Sequence, residues 1–364
     1  MSRNSRLLAV VGLALSLIAA GCNPQNVAWL PDSSGFVYSS DSGTKLIHYD
    51  VATKKQRVIV ENTDTNTVWP AISPDGKRIA VARFMTCSDV KGRATGWQVE
   101  VIFYDLAGKL VQRSKAERWG EKVGKNGKIQ DTFLVWAPDG KHIVVYCLGT
   151  VRFGVFTDIP SDPCITLLYD VKNGTFTCRK NGDPIPFGGN PFRPDGKGIL
   201  VEKRGEISFL EVTGKEHEIT LPEVNYDDRK VMQELMAPWL ISSSWKGDVA
   251  TSHRGSAILT IDTAKLKATF DPEGRKGRMP EPKDLRWEYD LAGGRILRVL
   301  ENSSSSFRIE AFDPKSKKSR FIYGPVEIDC MVIPSPDRKH AAIREGRGIV
   351  VVNAKGEIVS DNNK

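Results

Sequence analysis

Along much of the chain, short runs in which apolar residues alternate with polar or small ones are separated by compact turn signals. The stretch WPAISPDGKRIAVA, Trp69 to Ala82, shows the pattern. A short extended run meets a Pro-Asp-Gly turn, and a strand follows in which Ile79 and Val81 alternate with their neighbours, as a period of two requires. Pro74 presets φ for the first corner of a type I turn, Asp75 takes the second, and Gly76 accepts the left-handed position that closes the loop.

Aligned on this turn, the chain reads as seven units. Each has an inner strand, the turn, a second strand, a third rich in aromatic or branched residues, and a fourth after another tight turn. Unit one runs AWLPDSSGFVYSS from Ala28, then KLIHYDVATKKQRVIV from Lys45. The second continues with QVEVIFYDLAGKLVQR from Gln98, and the third reads VWAPDGKHIVVY from Val135, then CITLLYDVKNGTFTCR from Cys164. The fourth reads FRPDGKGILV from Phe192 and the seventh PSPDRKHAAIRE from Pro334, where Arg338 replaces the turn glycine at a cost of about 1 kcal/mol. Units five, ISSSWKGDVAT from Ile241, and six, WEYDLAGGRILRV from Trp287, are degenerate. Their turns, and that of unit one, read as longer than the others. Repeats of this length and strand content predict an all-β fold, a seven-bladed β-propeller of four-stranded antiparallel blades.

These copies resemble the propeller repeats of the TolB family, which are similar to WD repeats. The resemblance rests on Trp29, Pro31 and Asp32; Pro70, Ser73, Pro74, Asp75 and Gly76; Trp136, Pro138, Asp139 and Gly140; Pro194, Asp195 and Gly196; and Pro336 with Asp337. It implies the fold over Val27 to Ser360. TolB itself carries an α/β domain before its propeller and is soluble in the periplasm.

At the N-terminus, Arg3 and Arg6 precede an apolar run from Leu7 to Ala20, too short for a comfortable bilayer span and ending in small residues. Ala19, Ala20 and Gly21 stand directly before Cys22, a pattern resembling the lipobox of bacterial lipoproteins, in which the cysteine is acylated. The expectation is a signal peptide over 1–21 and a propeller over 22–364, anchored through Cys22 on the exported side of a membrane. The outer membrane facing the periplasm fits the absence of Asp after the cysteine. Removing residues 1–21 takes the formal charge from +8 to +6, a solvated surface that gives no reason to expect nucleic acid as a partner. Cys87, Cys147, Cys164, Cys178 and Cys330 remain. Cys147 and Cys164, at the end of the second strand and the start of the third in unit three, are the expected disulfide; an odd count leaves one thiol over.

In an antiparallel meander, the links from strand two to three and from blade to blade emerge on one face. All the long connections fall there: Phe84 to Trp97, Ser114 to Phe133, Gly149 to Pro163, Lys180 to Gly189, Pro222 to Ala237 and Asp271 to Lys283. That face is the expected binding face. Trp29, Trp69, Trp136 and Trp287 belong to inner strands and are expected between blades. Trp97, Trp119, Phe153, Phe156 and Tyr226 lie in the long connections, either as ligand contacts or as pins that hold a loop to the body. Lys115 and Arg118 lie in a basic segment from Lys109 to Lys128, open to an acidic partner, to anionic headgroups or simply to solvent.

No nucleophile elbow, phosphate-binding glycine loop, or His or Cys pair at metal-ligand spacing occurs. His48, His142 and His340 fall in strands, His217 at a tight turn and His253 near the long-connection face. The expectation is therefore no cofactor, no metal and no catalytic residue. The leading functional reading is a membrane-anchored binding or assembly module of the cell envelope, with an envelope protein or cell-wall component as partner. The alternative is a carbohydrate- or peptide-processing enzyme with its site at the mouth of the channel.

Overall fold

A computed structural model describes residues 27–361 except 41–43, 62, 64–69, 89–93, 120–126, 154–156, 161–164, 182, 185–189, 204–205, 226, 229–230, 233–234, 236–241, 255–256, 275–284, 304–305, 328–330 and 346–347. Blade one comprises β1 (Val27–Trp29), β2 (Gly35–Ser39), β3 (Leu46–Asp50) and β4 (Lys55–Val60). Blade two has β5 (Ala71–Ile72), β6 (Arg78–Ser88), β7 (Ala94–Asp105), β8 (Leu110–Arg113) and β9 (Glu117–Trp119). In blade three are β10 (Gly127–Trp136), β11 (His142–Phe153), β12 (Thr157–Pro160), β13 (Ile165–Asp170) and β14 (Thr175–Asn181). Blade four has β15 (Asp183–Pro184), β16 (Gly198–Lys203), β17 (Glu206–Glu211) and β18 (Glu216–Ile219). Blade five has β19 (Ser242–Lys246), β20 (Val249–Arg254), β21 (Ala257–Asp262) and β22 (Lys267–Asp271). Blade six is β23 (Leu285–Asp290), β24 (Ile296–Ser303), β25 (Ser306–Asp313) and β26 (Lys318–Glu327), and blade seven β27 (Met331–Pro334), β28 (His340–Glu345), β29 (Gly348–Asn353) and β30 (Ile358–Asp361). Five sheets are antiparallel meanders of four consecutive strands, and those of blades two and three add a fifth strand, β9 on β7 and β12 on β11; no blade borrows a strand from another.

The period-two pattern has a different meaning here from that in a sheet with one wet face. Ile79, Ala80, Val81 and Ala82 are all buried, because each blade is covered on both sides. Ala80 and Ala82 pack toward blade three with Val101, Phe103, Trp136 and Ile143, whereas Ile79 and Val81 pack toward blade one with Val37 and Leu46. Large and small residues alternate to fit two neighbours.

The Pro-Asp-Gly turn works as its chemistry suggests, and it is more uniform than the sequence implied. The unit-one turn is not longer: Trp29 lies opposite Phe36 as Ile72 lies opposite Ile79. Its left-handed corner is Ser33, at φ 61°, in the place held by Gly76, Gly140 and Gly196 at 71°, 68° and 72°, and by Arg338 at 58°. The corner amide closes onto the same acceptor each time, Ser33 N to Leu30 O at 2.9 Å and Gly76 N to Ser73 O at 2.8 Å, for example. In all five copies the aspartate accepts the amide two residues on: Asp32 from Ser34, Asp75 from Lys77, Asp139 from Lys141, Asp195 from Lys197 and Asp337 from Lys339. Units five and six depart from the expected longer turn. In blade five Lys246 pairs with Val249 across a two-residue turn, and in blade six a 3-10 turn over Ala292–Gly294 does the work.

Blades are fastened where the inner strands end. Trp136 Nε1 donates to Ala71 O of blade two at 3.1 Å, and Trp136 O accepts Asn190 Nδ2 of blade four at 2.9 Å. Asn190 O accepts Trp245 Nε1 of blade five at 3.4 Å. Trp29 Nε1 closes the ring by donating to Ile333 O of blade seven at 2.9 Å. Trp29 and Trp136 are the interblade tryptophans expected of the sequence. Trp245 is a further one, overlooked because its unit lacks the Pro-Asp-Gly signal. Trp287 lies in the inner strand β23, and Trp69 is outside the described residues.

Two outcomes follow. Trp136→Phe keeps an aromatic ring in the edge-on contact with Phe103 but takes the indole donor away from the Ala71 carbonyl, and should lower unfolding free energy by about 1–3 kcal/mol in urea titrations. Hydrogen bonding from the Ser73 hydroxyl, opposed by burial and aided by the Lys77 amide, holds the Asp75 carboxyl below its ordinary 3.8, and bonds from Ser34 do the same for Asp32. A depressed carboxyl stabilises the fold above its unfolded value and loses that contribution as pH falls through the folded one. The urea midpoint should therefore hold steady down to about pH 5 and drop below about pH 4. Asp75→Asn, which keeps the acceptor but cannot titrate, should flatten part of that drop.

Candidate functional site

On blades two and three the long-connection face is less loop than strand among the described residues. In blade one β2 and β3 have five residues each, whereas β6 and β7 have eleven and twelve, and β10 and β11 ten and twelve. Expected loops Phe84 to Trp97 and Gly149 to Pro163 thus prove to be mainly hairpin. The reason is legible afterwards: Arg83 to Ser88 and Ala94 to Val99 contain β-branched and aromatic residues, and the one glycine, Gly96, is accommodated opposite Cys87 next to the irregularity at the end of the ladder. Beyond Ala82 and Val101 the β6–β7 ladder runs on through six residues, Arg83 to Ser88, which is roughly 20 Å of strand.

Each extension gains a third strand. β9 pairs with β7, setting Glu117 opposite Val99, Arg118 opposite Gln98 and Trp119 opposite Trp97. β12 folds back on β11, setting Thr157 opposite Phe153 and Pro160 opposite Thr150. Both third strands continue a blade strand across a break, β9 following the outermost strand β8 and β12 leading into β13. At the first break Ser114 repairs the ladder. Its amide donates to Val101 O at 2.9 Å, its hydroxyl accepts the Val101 amide at 2.9 Å, and the same hydroxyl donates to Lys115 O at 2.9 Å. The root of the extension is also tied by charge, since Glu100 on β7 lies 3.7 Å from Arg83 on β6 and 3.6 Å from Arg113 on β8.

This arrangement gathers Trp97, Lys115, Arg118 and Trp119 on the blade-two extension, with Lys115 and Arg118 exposed. Phe153 ends β11 of the neighbouring blade, whose β10 lies against β6. Phe156 and Tyr226 lie outside the described residues. The connection that contains Tyr226 is held down on both sides of it, by Val224 and by Val231, Met232 and Leu235, which pack into the core between blades four and five. Cys147 stands opposite Ile165, and its expected partner Cys164 is outside the described residues.

Sequence reasoning missed a feature of the opposite face. A cleft of about 360 Å³ lies between blades four and five, bordered by Arg193, Phe209, Glu211, His217, Thr263 and Leu266. Its charges are already matched. Arg193 lies over the Phe209 ring at 4.8 Å and contacts Asp195 at 2.8 Å and Asp248 at 3.1 Å. His217, in β18 and not at a turn, meets Glu211 at 2.7 Å. Burial pushes the imidazoles of His48 and His340 below their ordinary range. Among the described residues, no three His, Cys, Asp or Glu side chains are grouped to hold a metal. No described helix is long and apolar enough to cross a membrane.

No protein-family model and no curated protein matches the chain. Several solved structures do. The dihydro-heme d1 dehydrogenase NirN in complex with DHE is 15% identical over 92% of this chain and 65% of its own length, at a TM-score of 0.43, so this chain spans just under two thirds of that protein. The C-terminal WD40 domain of Sif2 is 12% identical over 93% of this chain and 84% of its own, also at 0.43. TolB from Acinetobacter baumannii is 17% identical over 88% and 77%, at 0.36. The chain is thus similar to WD40 propellers and to TolB, and the propeller assignment itself stands on the seven sheets described above.

Ser114→Ala should test the repaired break. It removes the acceptor of the buried Val101 amide, so we expect a loss of about 1–2 kcal/mol and faster hydrogen exchange in peptides covering Val99 to Val101, with exchange in blade seven unchanged.

Proposed function

We propose that this protein is a lipid-anchored binding or assembly module of the bacterial cell envelope, whose contact surface is the pair of extensions on blades two and three. The observation that carries the reading is one of placement. β1 runs from Val27 toward the tight turn at Leu30, so the chain comes into blade one from the side on which the extensions project. Only Asn23, Pro24, Gln25 and Asn26 separate Cys22 from that strand, and four residues reach at most about 14 Å. An acylated Cys22 would hold the ring close to the bilayer with its extensions on the membrane side. The exposed Lys115 and Arg118 then serve as contacts for anionic headgroups or for an acidic envelope partner, beside an aromatic pair of positions, Trp97 and Trp119. Acyl chains supplemented by basic contacts give firmer attachment than one chain alone.

Fractionation of cells expressing the chain and its Cys22→Ala form tests the anchor: the first should sediment with membranes and the second should not. Trypsin then tests the orientation. Cleavage after Lys115 and Arg118 should be several-fold slower in native membranes than in the soluble Cys22→Ala form. Equal rates would show that the extensions face away from the membrane.

A further inference from the structure

Each blade turns from its third strand into its outermost one on the side away from the extensions. Lysines follow the acid that leads this turn: Lys109 behind Asp105, Lys172 behind Asp170, Lys265 and Lys267 behind Asp262. Blade six carries the pattern furthest. Between β25 and β26, Asp313 is followed by Lys315, Lys317, Lys318 and Arg320, all exposed. Arg320 stands opposite Ala311, which packs in the cluster shared with blade seven, so Lys318 and Arg320 lie on the side of β26 that faces that blade.

Blade seven continues the surface. Its own turn, between β29 and β30, is seated against β25 and β26. Gly356, at φ 77°, lies so close that a β-carbon added to it would stand 2.9 Å from Ala311 Cβ and 3.1 Å from Ile322 Cδ1. Lys355 beside it is exposed. Arg295, from the inner turn of blade six, donates from Nη1 to Lys355 O at 3.1 Å and so ties the two blades together.

The acids of these two turns bond within them. Asp313 Oδ1 accepts the amides of Lys315 at 2.9 Å and Ser316 at 3.4 Å, and Glu357 Oε2 accepts Asn353 Nδ2 at 2.8 Å. That bond first, with the charges of Lys355, Arg320 and Arg295 adding to it, holds the Glu357 carboxyl below its ordinary range. Three cations thus converge on one carboxylate. Arg295, Lys315, Lys317, Lys318, Arg320 and Lys355 together set six positive charges against the two negative ones of Asp313 and Glu357. Next to them, Arg338 lies 3.4 Å from Asp290 and Lys339 3.5 Å from Asp337, so these add no excess. Exposed charge is felt over about 8 Å at physiological salt. The local balance therefore governs what approaches, not the total of the chain.

Ammonium groups on exposed turns are hydrated point charges, and one exposed ion pair contributes little against water and salt. A small anion touching one or two of them gains little. A chain of closely spaced anionic groups meets several at once and releases the counterions gathered along it.

We infer that the outer turns of blades six and seven, with Arg295 between them, are a docking surface for a linear polyanion whose repeating groups are phosphates or carboxylates. The inference stands apart from the membrane anchor, since this surface is at the end of the ring opposite the extensions. Fluorescence anisotropy of end-labelled inorganic polyphosphate and of polygalacturonate, each titrated with the full detergent-purified chain, tests it. Lys315→Gln, Lys317→Gln and Lys318→Gln together should weaken binding roughly tenfold at about 50 mM salt and lower the log–log salt slope by about one per lysine removed. Lys77→Gln, Lys141→Gln and Lys172→Gln remove the same exposed charge from the same side of blades two and three, and should weaken it less than about threefold. A loss seen with polyphosphate alone assigns phosphate, with polygalacturonate alone carboxylate, and with both a surface that reads charge density; each supports the inference. Binding of neither polymer, equal losses in the two triple variants, full competition by tripolyphosphate at equal phosphate concentration, or binding confined to phosphatidylglycerol vesicles would overturn it. If the first triple variant lacks native circular dichroism, Arg320→Gln with Lys355→Gln repeats the comparison from the blade-seven side.

Discussion

Because no strand is shared between blades, the ring depends on what passes from one inner strand to the next. Beside the ends of the inner strands, a side-chain N–H meets a backbone carbonyl of the neighbouring blade at Trp29 to Ile333, Trp136 to Ala71, Asn190 to Trp136 and Trp245 to Asn190. Such a bond is worth only about 1 kcal/mol net, but an unmade one at a buried carbonyl costs more. The geometry also fixes spacing. A large indole at the end of an inner strand fills the wedge between two blades and satisfies a carbonyl at the tip of that wedge, so one residue type supplies both the apolar area and the polar partner.

How much of this could be read from the chain depended on which residues carry a local signal. Pro74–Asp75–Gly76 and its copies announce their corners, because proline and glycine restrict or permit φ in ways other residues do not. Ser33 carries out Gly76's task without announcing it, which is why the first turn was read as longer. Gly247 and Asp248 make a two-residue turn whose signal was hidden by expecting the longer one, and Trp245 was lost with it. A second recurring element was available and unused. Asp50, Asp105, Asp170, Asp262 and Asp313 each lead the turn into the outer strand and accept amides within it, and they occur in the sequence as YD, ID or FD.

The candidate surface was legible in location but not in form. Topology alone places Trp97, Lys115, Arg118, Trp119 and Phe153 on the face that carries the extensions, which is where the structure has them. Their organisation into three-stranded extensions was not readable, because pairing continues wherever both strands tolerate it and stops only where a turn former or a change of partner ends it. The break at Ser114 is a case in point: serine is an ordinary residue in a strand, and only the structure shows its hydroxyl standing in for a missing ladder bond. The ring thus carries extended β-structure on one side and short aspartate-led turns on the other, and the two sides can be shaped independently.

The ring closure also bears on how the chain reaches this state. All pairing within the sheets is between strands at most two apart in sequence order, and such local contacts form early because little chain entropy is lost in making them. Trp29 and Ile333 are 304 residues apart. Loop entropy grows only with the logarithm of separation, by about 0.6 kcal/mol for each doubling, and blades already stacked in order shorten the effective loop further. The one long-range event is thus left to the end, when the outermost blades of a nearly complete arc are already neighbours, and the indole of Trp29 acts as the latch of an assembly built otherwise from local pieces.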